Sequence, residues 1–356
     1  MEQKEQKEQQ KKKKSNKKII GLIIAEVVVI VAILAMIGVL ILKNSKTKDQ
    51  NTEAVENQTE QEVTGDLDVA SDDVEESQES TETPEPTPTE TPTPEPTPEI
   101  PFNAYEAETL TWNPDWEYAD YSILHTDNVT LYRSLHEGRP VICVNAGHGT
   151  SGGNSVRTQC HPDGTPKVTG GSTSEGSTTA AAVSSGTTML DGTAEAVVTL
   201  KLAMIVKEKL LDAGFSVLMI RESEDVQLDN IARTVFANNN ADCHIALHYD
   251  SSDYDKGFFY IGVPDIASYK SMEPVASHWE QHNALGESIL EGMRIAGVKI
   301  YSNGNIPMDL TQTSYSTVPS MDVEVGDRGS DYSEATLNKI ADGVVEGVKV
   351  YFGEPQ

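Results

Sequence analysis

Four short stretches carry residues of the type and placement that metal-assisted hydrolysis needs. In NAGHGTSGG, residues 145–153, His148 follows the β-rich run PVICVN (140–145) and lies between Gly147 and Gly149. Ligands in open α/β sheets bind beyond the carboxyl ends of the strands, and flanking glycines let the backbone turn sharply beside a metal or substrate. A turn bearing a surface histidine accounts for the same pattern. In CHIALHYDS, residues 243–251, His248 ends a second apolar run in the same way. His244, four residues earlier on the same face of that strand, lies deeper and reads as a packed core histidine. Glu195 opens a helical pattern after Thr193. There it is either an acid favoured by the helix dipole or a carboxylate aimed into the crevice above the sheet. Two neutral imidazoles and a carboxylate are a common catalytic zinc set that leaves one position open for water or substrate. Glu324, in VPSMDVEVGDRGS, ends an apolar strand two residues after Asp322. It is a candidate to take a proton from an activated water, or else a structural carboxylate.

These residues need a scaffold that brings strand ends and a helix start together. From residue 140 onward, strand-like runs alternate with helical ones. Glu195–Ala213 carries Val198, Leu202, Ile205, Val206 and Leu210 near helical spacing and stops at Gly214. Phe215–Ile220, Cys243–Leu247, Gly257–Val263 and Val318–Val325 read as strands. Leu228–Asn239, Ala276–Ala296 and Ser333–Tyr351 read as helices. This alternation predicts a single α/β domain with a mostly parallel central sheet flanked by helices, spanning 140–356. Residues 101–139 contain Trp112, Trp116 and several tyrosines without a clean period, and are taken as an N-terminal flank. Residues 149–193 are rich in Gly, Ser and Thr, a loop length uncommon inside a compact domain.

The first hundred residues have a different character. Ile19–Leu42 is a 24-residue apolar run with Glu26 as its one charge, long enough to cross a bilayer as a helix. Residues 1–18 carry 8 lysines, so this tail is expected in the cytoplasm and the rest of the chain outside the cell membrane. A cleaved signal peptide would have a shorter apolar region and a small-residue cleavage site, and ILKNSK offers none. Residues 43–100 are a linker. Positions 51–100 hold 16 acidic residues and no Lys or Arg, and Glu82–Pro101 alternates Pro with Thr and Glu. Such a segment cannot bury a core and favours extended polyproline II, so it reads as a disordered stalk; a proline-rich recognition ligand is the alternative. The whole chain has 27 Lys and Arg against 56 Asp and Glu, a net charge of −29, which argues against nucleic acid as a partner. The three cysteines, Cys143, Cys160 and Cys243, have no disulfide or zinc-finger spacing; Cys143 and Cys243 read as small buried hydrophobes.

Taken in order, these stretches resemble the zinc-dependent N-acetylmuramoyl-L-alanine amidases whose domain opens with an AGHG motif. The resemblance runs from about Val141 to Tyr351. AGHG falls at 146–149 and the helix-opening acid at Glu195. G-x-x-V-x-x-x-R falls at Gly214, Val217 and Arg221. R-x-x-x-A-N-x-x-A-D falls at Arg233, Ala237, Asn238, Ala241 and Asp242. LHYD falls at 247–250, and P-x-x-x-x-E-x-G at Pro319, Glu324 and Gly326. The resemblance implies a zinc ion held by His148, Glu195 and His248, with Glu324 as catalytic base. It implies peptidoglycan as substrate, cut at the amide between N-acetylmuramic acid and the L-alanine of the stem peptide. Two departures stand out. The stretch between the first His and the Glu, Gly149 to Ala194, is longer than the family's, and Gly326 is followed by DRGSD rather than by an aromatic and an Asn. Another zinc peptidase acting on stem peptides, or a wall-binding module without catalysis, are the alternatives.

Overall fold

The computed structural model describes residues 100–354. The basic tail, the apolar run 19–42 and the linker up to residue 99 lie outside the described residues. Among the described residues no helix is long and apolar enough to cross a membrane.

The domain is built on an eight-stranded sheet. Its strands are β1 (Tyr105–Leu110), β2 (Val129–Ser134), β3 (Val141–Ala146), β6 (Ser216–Met219), β7 (Cys243–Asp250), β8 (Phe258–Gly262), β9 (Ile300–Pro307) and β10 (Ser320–Asp327), in the order β1-β2-β6-β3-β7-β10-β8-β9. The central four, β6-β3-β7-β10, are all parallel. Their Ile, Leu and Cys residues, and every Val but the half-buried Val141, are buried on both faces, as central parallel strands require. The edges depart from the parallel expectation. β2 joins β6 antiparallel and carries β1 antiparallel on its outer side, and β8 runs antiparallel to β10, with β9 parallel to β8. The segment 251–257 joining β7 to β8 contains no helix, so the chain reverses instead of crossing back over the sheet.

Long helices cover one face. Helix α1 (Glu195–Asp212) buries Val198, Leu202, Val206 and Leu210, one residue per turn, against β3 and β6. Helices α4 (Val275–Ile295) and α6 (Glu334–Phe352) pack on the same face over β7, β8 and β10. Ser333 caps α6 by accepting from Thr336 N, and Gly353 closes it with φ +70°. On the other face α2 (Asn230–Asn240) is capped by Asp229, which accepts from Ala232 N at 2.7 Å. Its Phe236 meets Trp112 and Trp116 edge-on. The flank 101–139 is therefore part of the domain: its strands extend the sheet and its aromatics close the second core with Leu131, Cys143 and Leu218. The short helices α3 (Ala267–Lys270) and α5 (Thr311–Tyr315) complete the structure.

The long Gly/Ser/Thr stretch is folded. Strands β4 (Arg157–Gln159) and β5 (Thr179–Ala181) pair antiparallel within it. With few large apolar residues to bury, it is held by a polar pin. Asp309, wholly buried, accepts from Val168 N (2.6 Å), Thr169 Oγ1 (2.7 Å) and Lys167 Nζ (2.9 Å), and His161 Nε2 lies 3.3 Å away. Lys167 Nζ also donates to the Asp309 carbonyl. All three cysteines are buried and free.

Candidate metal centre

β3 and β7 lie side by side, so their carboxyl ends deliver two histidines to one place. His148 leaves β3 in a left-handed conformation, φ +62°, which costs a non-glycine residue about 1–3 kcal/mol and is commonly found at functional sites. Gly147 and Gly149 make the turn fit. A Cβ on Gly147 would stand 2.4 Å from the His248 ring, and one on Gly149, itself at φ +74°, 2.8 Å from the Arg221 guanidinium. His148 Nδ1 lies 2.8 Å from Ser184 O. A carbonyl only accepts, so Nδ1 carries a proton and Nε2 is the ring atom left to face the other candidate ligands.

Nε2 meets the other two candidate ligand atoms. His148 Nε2 is 2.8 Å from Glu195 Oε1 and 3.0 Å from His248 Nδ1, and His248 Nδ1 is 3.2 Å from Glu195 Oε1. Donors bound tetrahedrally at about 2.0–2.1 Å from an ion lie roughly 3.3 Å apart, so the trio has the spacing of a three-donor metal site. Among the described residues it is a set of this kind whose donor atoms all fall within 4.8 Å of one another. Glu195 is 2% exposed and fully engaged: Oε1 also accepts from Tyr249 N (2.9 Å), and Oε2 from Thr187 N (2.7 Å). Gly186, at φ +75°, passes so close that a Cβ there would stand 2.6 Å from the His148 ring and 2.7 Å from Glu195 Oε2.

The third and fourth carboxylates come from β10. In the β7–β10 register Glu324 is level with His248, and Asp322 with Ala246, so both acids share the face of His248. Asp322 Oδ2 is 3.9 Å from His248 Nε2. Glu324 Oε2 and Asp322 Oδ1 are buried and have no hydrogen-bond partner among the described residues.

Electrostatics divides the site. Burial alone would raise the Glu195 carboxyl, but hydrogen bonds from His148 and His248 outweigh it and hold the group well below the carboxylate range. Burial would lower His248, but its bond to Glu195 and the charge of Asp322 raise it to about 9. For Glu324 burial prevails, against the pull of His248 and with help from Glu195, and lifts it to about 8. Burial raises Asp322 as well.

Every expected site residue is thus at one location: His148, Glu195 and His248 in mutual contact, and Glu324 on the neighbouring strand. His244 is wholly buried in the core, as its depth in the strand implies, and burial lowers its pKa to about 3. Ser184, Gly186 and Thr187, which brace the donors, were not legible. They belong to the Gly/Ser/Thr stretch, and the one cue is that this stretch leads into Glu195.

An α/β domain with three convergent donors at the ends of parallel strands, and a buried acid beside them, is of the class of candidate metallohydrolases. Residues 142–350 match the family model described as N-acetylmuramoyl-L-alanine amidase, and the chain belongs to that family. Among the curated proteins none matches. Similar solved structures include the N-acetylmuramyl-L-alanine amidase Ami1 from Mycobacterium smegmatis, at 19% identity and TM-score 0.48, covering 60% of this chain and 97% of that one. The apo form of Ami1 from Mycobacterium abscessus is 22% identical with TM-score 0.47, covering 60% and 99%. The amidase AmiC2 of Nostoc punctiforme is 17% identical with TM-score 0.44, covering 62% and 100%.

Proposed function

We propose that this amidase uses a zinc ion held by His148, Glu195 and His248, with Glu324 as general base and acid, to cleave the amide between N-acetylmuramic acid and L-alanine in peptidoglycan. The observation that carries the reading is the mutual spacing of the three donors, 2.8, 3.0 and 3.2 Å, beside a buried carboxylate oxygen with no partner. A zinc ion bound there would supply Lewis acidity toward the scissile carbonyl and bring the pKa of water to about 7. Three protein ligands would leave the metal a position for the reacting groups. Glu195 keeps its charge because both histidines face it, and Ser184 O, by accepting from Nδ1, leaves His148 Nε2 as the ring atom that would face the metal. Glu324 takes the proton of the attacking water on a carboxylate oxygen. It returns the proton to the leaving nitrogen as the C–N bond breaks, giving a lactyl carboxylate and a free L-alanine amine. Its raised pKa suits the second of these transfers, since an acid that holds its proton near neutral pH can deliver it to an amine.

The same reading takes residues 19–42 as a single-pass anchor with the N-terminus in the cytoplasm, and 43–100 as a stalk that places the domain among wall polymers. Digestion of purified peptidoglycan tests the activity. Free L-alanine amino termini with intact N-acetylmuramic acid are expected. New amino termini within the stem peptide instead would identify a peptidase.

A further inference from the structure

The turn that carries His148 is gripped by two buried guanidinium groups, and no carboxylate among the described residues accepts a hydrogen bond from either. Arg233, on α2, is 1% exposed. Its Nε donates to Leu228 O (3.1 Å), and Nη1 to Asn145 Oδ1 (3.0 Å) and Ala146 O (3.2 Å). Nη2 donates to His148 O (2.7 Å) and Thr150 Oγ1 (2.9 Å). These bonds use all five N–H groups of the side chain. Arg221, just after β6, donates from Nε to Ala146 O (3.0 Å), from Nη1 to Ser223 O (3.0 Å), and from Nη2 to Gly147 O (2.8 Å) and Ala196 O (2.7 Å). Three successive carbonyls, those of Ala146, Gly147 and His148, therefore accept from guanidinium groups.

A role in stability alone would not select this arrangement. A buried cation without a hydrogen-bonded counter-ion is costly, and an apolar side chain of similar volume serves a core better. The cost is visible in both groups: burial pushes Arg221 down to about 10 and, with the charge of Arg221 added, Arg233 to about 9. What the two forks achieve is local. They fix the backbone on both sides of a histidine held at φ +62°, the conformation in which its Nδ1 meets Ser184 O and its Nε2 meets Glu195.

We propose that Arg233, backed by Arg221, is a positioning residue for the metal ligand His148, acting through the planar fork that joins the His148 carbonyl to the end of β3. The inference rests on the metal reading above. A lysine at 233 keeps the charge but cannot bridge the five acceptors, so it does not substitute.

Zinc affinity of the full chain, measured by competition with a chromophoric chelator, tests this for the wild type, Arg233→Lys and Arg233→Met, alongside thermal unfolding in EDTA. Arg233→Lys is expected to unfold cooperatively in EDTA and to bind zinc 10–100-fold more weakly than the wild type, the loss typical of a removed outer-sphere support. Its kcat should recover toward the wild-type value as zinc is raised to saturation, with KM unchanged. If Arg233→Lys does not fold, Thr150→Val removes one acceptor of Nη2 and should weaken zinc binding several-fold in a folded protein. Wild-type zinc affinity in a folded Arg233→Lys or Thr150→Val protein would overturn the inference and leave the metal reading intact. A wild-type chain that binds no zinc would overturn both.

Discussion

The two sides of the candidate centre are built on opposite terms. On the β3–α1 side every polar group is satisfied. Glu195 accepts from two backbone amides and faces two imidazoles, His148 is bonded at both nitrogens, and Arg233 uses all its donors. On the β10 side Glu324 and Asp322 each bury an oxygen with no partner, and burial raises both acids. A saturated network fixes geometry, whereas an unsatisfied buried carboxylate is held in a high-energy state that a proton or a substrate group can relieve. Under the proposed function, the contrast separates the part of the site that would hold the metal from the part that would react.

Breaking the reacting side should have the largest effect on rate. Glu324→Gln is expected to lower kcat by roughly 10²–10⁴-fold, the usual worth of a general acid–base. Peptidoglycan hydrolysis at saturating substrate measures it, and near-wild-type turnover would remove Glu324 from the chemistry. Next comes the pin beneath the long stretch 149–193. Asp309→Ala strands Lys167, and with it His161, in a buried pocket, and removing one partner of a buried pair costs about 3–5 kcal/mol. Denaturant unfolding should show that loss. A stability unchanged within error would mean that the stretch is held by something other than its polar pin.

Proton linkage sharpens the contrast at lower cost. His248 has its pKa raised to about 9 in the metal-free fold, above an unfolded value near 6.5. Its contribution to stability is therefore full below about pH 6.5 and is lost as pH rises through about 9. Glu324, raised to about 8, acts in the same direction, because the folded state then disfavours its ionised form. In EDTA the Tm is expected to fall by on the order of 5 °C between pH 6.5 and 9, and zinc should reverse much of the fall, since metal binding displaces the His248 proton. A Tm in EDTA that is flat or rising across that window contradicts the assigned partners of His248. The smallest effect belongs to an exposed control. Arg133 and Glu108 form a surface pair between β2 and β1, so Arg133→Ala should change stability by no more than about 1 kcal/mol and leave activity alone.

Sequence reading reached the holding side because its signals are local. A glycine-flanked histidine after an apolar run, a second histidine ending another, and an acid opening an amphipathic helix each follow from strand and helix geometry. Glu324 was legible for the same reason. The edges of the sheet were less so. β1 is exposed along nearly its whole length and has no apolar alternation to read, and the Trp112–Trp116 flank packs by irregular aromatic contacts. The stretch 149–193 reads as a loop because no periodic burial specifies it. Its order comes from Asp309, more than a hundred residues away, a contact that local patterning does not encode. Ser184 and Thr187 contribute backbone atoms to the centre, which side-chain identity cannot announce.

The division of the centre into holding and reacting sides is tested most directly by zinc content. Wild type, Glu195→Ala and Glu324→Gln would be dialysed against the same buffered zinc and the metal bound per chain measured. About one zinc ion is expected for the wild type and for Glu324→Gln, and close to none for Glu195→Ala. Zinc retained in full by Glu195→Ala, or lost from Glu324→Gln, would contradict it.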